Sequence, residues 1–78
     1  MARYFFHLHN DLETRDREGV ELPDPGAARK MAEREARAMA AHNVSHGHLA
    51  LSHSIEVTDL QGATVCTVRF GDVVEVLE

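Results

Sequence analysis

Seventy-eight residues, 44% hydrophobic and 27% charged, bound this chain to one small domain, 1–78, of ordinary globular composition. No apolar run approaches the ~18 residues that span a bilayer, and the single cysteine, Cys66, rules out an intramolecular disulfide. Eight Lys and Arg against 13 Asp and Glu leave a net charge of −5, which disfavours nucleic acid because phosphate binding runs on basic residues.

Arg3 to His9 has the aromatic content and period-2 alternation of a strand. Alternation puts Tyr4, Phe6 and Leu8 on one face and Phe5, His7 and His9 on the other. Asn10 to Gly19 is polar and charged, which predicts a surface loop. Val20-Glu21-Leu22 adds a short extended segment before Pro23.

Asp24 followed by Pro25 marks a helix start. The carboxylate can accept from the free N–H groups of the first turn, and proline costs nothing at the first helical position. Ala27 to about His42 contains no proline or glycine and is rich in alanine. Helical periodicity gathers Ala28, Met31, Ala32, Ala36 and Met39 into one stripe and sets Arg29, Lys30, Glu33, Arg34 and Arg37 opposite it. Glu33 and Arg37 are spaced for an i,i+4 ion pair.

Asn43 to Ser54 reads as a connection, with Leu49 and Leu51 as core anchors. Ile55 to Thr58 reads as a strand, and Asp59-Leu60-Gln61-Gly62 as a reverse turn. Thr64 to Phe70 returns as a second strand, with Cys66, Val68 and Phe70 on one face and Val65, Thr67 and Arg69 on the other. The tail Val73 to Leu77 is β-prone and offers a further strand. The sum is an α+β fold: one amphipathic helix packed on a three- to four-stranded, mostly antiparallel sheet. One helix covers one sheet face, so Phe5, His7 and His9 are expected to meet solvent or another subunit.

Six histidines are the unusual part of the composition. His7 and His9 share a strand face, His46 and His48 follow the helix, and His42 suits the negative end of the helix dipole. A transition-metal site needs three or four converging ligands, and the spacing of His7, His9, His46 and His48 matches no metal motif. No cofactor is expected, with a divalent transition metal as the lesser reading. His53 points into the core if the register of Ile55 and Val57 runs backwards, and Glu35 lies within the apolar helix stripe. A buried Glu35–His53 pair would satisfy both. The rarity of buried carboxylates favours instead a bend at Ser52–Ser54 and a Glu35 that reaches solvent. Cys66 in mid-strand behaves as a small hydrophobe. No nucleophile elbow or phosphate-cradling loop is present, so no enzyme is expected.

Several landmarks follow one another in a fixed order. Arg3-Tyr4-Phe5-Phe6-His7 precedes Glu18-Gly19-Val20-Glu21-Leu22-Pro23-Asp24 and the alanine-rich helix. Leu49-Ala50-Leu51-Ser52-His53, Ile55-Glu56-Val57, Gly62 and Val68-Arg69-Phe70-Gly71-Asp72 complete the set. Together they resemble a family of short bacterial proteins known only as a domain of unknown function. The resemblance covers nearly the whole chain. It implies a stand-alone bacterial domain and transfers no catalytic residue.

A domain this small buries only about 60% of the surface its unfolded chain exposes, so its stability margin is thin. Without a disulfide, that margin points to a homo-oligomer or protein partner, through the face of Phe5, His7 and His9 or an uncovered edge strand. The expectation is a cytoplasmic, non-enzymatic interaction module with neither nucleic acid nor membrane as partner. A histidine-based metal- or pH-responsive binding module is the alternative.

Overall fold

The computed structural model describes all residues, 1–78. Strand β1 (Ala2–His9) is followed by β2 (Glu13–Thr14), β3 (Val20–Leu22), helix α1 (Pro25–Ser45), β4 (Ser54–Thr58), β5 (Thr64–Arg69) and a single turn of helix, α2 (Phe70–Val73). Every strand pairing is antiparallel. The order across the sheet is β2-β1-β4-β5, with β3 beside β2 on the same edge of β1. The fold is α+β as expected, with five strands in the sheet in place of three or four.

Of the two short strands, β2 comes from the segment expected to be a loop, and β3 is the extended segment expected at Val20-Glu21-Leu22. After β1 the chain turns at Asn10–Leu12 and pairs Glu13 and Thr14 back onto His9 and Leu8. It then leaves the sheet for five residues and rejoins it as β3, with Val20 opposite Tyr4. In effect, β2 and β3 are one return strand interrupted at Arg15–Gly19. Four charged residues and a glycine there have no apolar side chain to bury, which explains why periodicity does not signal them.

Helix α1 begins as its sequence dictates: Asp24 Oδ1 accepts the Ala27 N–H at 2.8 Å, and Pro25 occupies the first turn. It ends at Ser45, three residues past His42, because no residue that stops a helix intervenes before Gly47 (φ 90°). Its buried positions are Ala28, Ala32, Ala36 and Ala40, each at most 1% exposed. Met31 and Met39 flank this stripe and do not lie at its centre. Small side chains at i,i+4 spacing let the helix axis approach the sheet closely, where they pack with Tyr4, Ile55, Val57, Val68 and Phe70.

Strands β4 and β5 are joined by the expected turn. Asp59 Oδ1 accepts from Gln61 N–H at 2.9 Å and Ala63 N–H at 3.0 Å, and Gly62 supplies the positive φ of 85°. Beyond it Thr58 pairs with Thr64, whereas Val57 pairs with Cys66, so Val65 is an extra residue, a β-bulge. The bulge corrects the expected facing of β5: Val65 packs against the core, and Thr64 joins the face away from the helix.

Three other expectations are corrected. Leu49 and Leu51 are 37% and 42% exposed. Their loop is anchored by its backbone instead, with Gly71 N–H donating to Leu51 O at 3.0 Å and Phe70 N–H to His53 O at 2.8 Å. The tail forms no strand, because Phe70 to Val73 turns helical, with Asp72 accepting the Arg69 N–H at 2.9 Å. Glu33 faces Arg29 at 3.9 Å, not Arg37, whose Nε donates to Val73 O at 3.2 Å and ties down the tail.

Candidate functional site

The polar side chains concentrate on the sheet face away from α1, where β1 and β4 run side by side. Register sets His7 opposite Glu56, Phe5 opposite Thr58 and His9 opposite Ser54. His7 is 5% exposed, covered by the chain's own excursion at Arg15–Gly19. Asp16 N–H donates to His7 Nδ1 at 3.1 Å. A ring nitrogen that accepts carries no proton, so the neutral His7 has its hydrogen on Nε2 and donates to Thr58 Oγ1 at 2.9 Å. Phe5 stacks parallel to the His7 ring, with centroids 6.5 Å apart. The expected open face is thus partly closed by a segment that composition marks as loop.

Asp16 organises that cover. Its carboxylate accepts from Phe6 N–H at 3.1 Å, Glu18 N–H at 3.1 Å and Gly19 N–H at 3.2 Å. The first bond serves a β1 amide at the point where the return strand has left the sheet. Burial pushes the Asp16 carboxyl upward, but these three amides and the nearby His7 outweigh it and hold the group below its ordinary value. Gly19, at φ 71°, closes the excursion. A Cβ there would meet Arg3 Cγ, Phe5 Cε2 and Tyr4 O, each at 2.9 Å.

Beside His7 lies a second polar group. His9 Nε2 is 2.9 Å from Glu56 Oε1 and its Nδ1 is 3.3 Å from Glu13 Oε1, so both ring nitrogens face carboxylates. Thr64 Oγ1 donates to Glu56 Oε2 at 2.6 Å. That bond, then the one from His9, holds the Glu56 carboxyl below its ordinary value against the opposing effect of burial. The Val65 bulge brings Thr64 into this network, and sequence alternation alone would have turned Thr64 to the other face.

The remaining histidines stand elsewhere. His46 caps the helix end, its ring 4.3 Å from that of His42 and its Nδ1 3.0 Å from His42 O. His48 follows in the exposed loop. No three His, Cys, Asp or Glu side chains converge as a metal-holding group. His53 packs edge-on to Phe70 at 5.7 Å and faces Asp11 at 3.8 Å. Glu35 is exposed, so the structure does not join the pair, and the chain bends before β4. Cys66 is half-buried, and its thiol is pushed up by burial against the nearby Arg29.

Residues 3–71 match the family described as Domain of unknown function (DUF6894). The chain belongs to the DUF6894 family. No curated protein and no solved structure matches it. The match runs from the start of β1 into α2, so this DUF6894 domain includes the sheet, the helix and the Asp16 excursion. No helix of this DUF6894 protein is long and apolar enough to cross a membrane.

Proposed function

We propose that this domain is a non-enzymatic interaction module that pairs with a second copy of itself along the free outer edge of β5. The observation that carries the reading is the contrast between the sheet's two edges. One edge is blunted by two short strands with an excursion between them. The other is six residues of Thr-Val-Cys-Thr-Val-Arg, with no lysine, proline or acid along it. Arg29 and Glu33 flank Cys66 and carry opposite charges. A two-fold pairing centred there would place the guanidinium of one copy beside the carboxylate of the other. The small core gives such pairing something to stabilise. The Phe5–His7–His9 face is the lesser choice, since the excursion already occupies part of it.

Sedimentation of the wild-type chain is expected to show a dimer, and Thr67→Lys, which puts a charge on that edge, a monomer with unchanged circular dichroism. A wild-type monomer at about 100 μM, where even a weak interface of Kd ~10 μM is mostly filled, overturns the reading. The module is proposed to work in the cytoplasm, without a cofactor and without nucleic acid or membrane as partner. The alternative, a histidine-based binding module, is supported by the His7–Thr58 and His9–Glu56 cross-strand bonds, which set two imidazoles at the centre of the sheet.

A further inference from the structure

Glu35 is a charged residue with no partner on the flank of α1 that faces β1. It lies one turn after Met31 and one turn before Met39, and no ion pair of the chain includes it. Between this flank and β1 are two adjoining hollows. The first, about 180 Å³, has Phe6, Leu8 and Ile55 on the sheet side and Met31, Glu35 and Met39 on the helix side. Asp16 also lines it. The second, about 330 Å³, shares Leu8 and Met39 with the first and continues toward Phe70, Asn43 and His42, a basic side chain that places an ammonium head in the first hollow. The first hollow lies beside the interruption of the return strand, with Asp16 of the excursion and Val20 of β3 in its lining.

We propose that this groove binds a small organic cation, with an apolar body between Phe6, Leu8, Met31 and Met39 and an ammonium head on Glu35. Three features choose that chemistry. The walls are apolar and include two methionines, whose unbranched side chains adapt to irregular shapes. The only charged groups lining the first hollow are the carboxylates of Glu35 and Asp16, so an anion is repelled and a neutral body leaves Glu35 without a counter-charge. The combined space reaches the ~300 Å³ at which small-molecule sites begin and is too small for a folded partner.

The test is an amide chemical-shift titration of the full chain with 4-phenylbutylammonium, alongside 4-phenylbutanol and 4-phenylbutyrate as matched neutral and anionic probes. The amine is expected to give saturable shifts at Phe6, Leu8, Met31, Glu35 and Met39. The alcohol should bind about threefold more weakly, the acid more weakly still, in line with one exposed ion pair. Glu35→Gln, at an exposed position, should reduce amine affinity about threefold and leave the alcohol unchanged. Binding of the acid as tight as the amine, shifts that do not saturate, or no effect of Glu35→Gln overturns the proposal. So do shifts at these residues that follow protein concentration without ligand, which would mean that a second copy fills the groove. Repeating the titration on Thr67→Lys keeps the outcome separate from pairing at β5.

Discussion

Asp16 has the most consequential side chain for its size. A single carboxylate receives three backbone N–H groups and, through its own amide, fixes the tautomer of His7. Asp16→Ala would leave the Phe6 amide without an acceptor, so a loss of about 1–3 kcal/mol is expected in urea unfolding. Asp16 and Glu56 both have carboxyls held below their ordinary values in the folded state. Each therefore contributes stability that is complete above the unfolded carboxyl pKa of about 4 and is lost as pH falls through the folded value. Unfolding free energy measured from pH 7 downward should drop below about pH 4, and the drop should be shallower in Asp16→Asn and Glu56→Gln. Gly19→Ala places a methyl against Tyr4 O at positive φ and should cost more than about 1 kcal/mol, read as a lower midpoint of thermal unfolding. Cys66 has a thiol pushed upward by burial, so it should alkylate more slowly than a free thiol at pH 8 and faster once urea exposes it.

At the scale of the element, α1 is a helix whose contact surface is set by what it lacks. Alanines at four successive i,i+4 positions leave no side chain to hold the axis away from the sheet. Larger residues cannot be accommodated there without moving the helix. Ala36→Leu should destabilise by about 1–3 kcal/mol through overpacking, whereas the same change at exposed Ala41 should be nearly silent. The stripe was legible in the sequence as alanine and methionine together, and the structure separates them. Alanines take the centre because the sheet is close, and methionines take the flanks, where they line the groove. Arg37 shows the same dependence on neighbours. Its partner is a carbonyl of the tail 36 residues away, and i,i+4 spacing alone gave it to Glu33.

At the scale of the molecule, the sheet is asymmetric. A broken return strand makes one edge, covers part of the open face and borders the groove beside α1. The intact β5 makes the other. A small core, a half-covered face and one continuous free strand leave β5 as the surface most able to add stability by association. The proposed pairing at β5 predicts an unfolding midpoint that rises with protein concentration, a dependence that Thr67→Lys should abolish.

Strands β1, β3, β4 and β5, the helix start, the Asp59 turn and the α+β class follow from local rules: period-2 alternation, an Asp-Pro cap, and Asp and Gly at fixed turn positions. Each of these acts within a few residues, so one sequence suffices to read it. The excursion at Arg15–Gly19 depends on which β1 amide Asp16 reaches, and the polar network depends on a bulge that exchanges the faces of Val65 and Thr64. Composition bounded the chain to one small acidic domain with six histidines and one cysteine. Only tertiary structure decided that His7 is enclosed, that His53 and Glu35 part company, and that Glu35 stands over an apolar groove. Those placements turn on contacts between residues distant in sequence, which no local periodicity encodes.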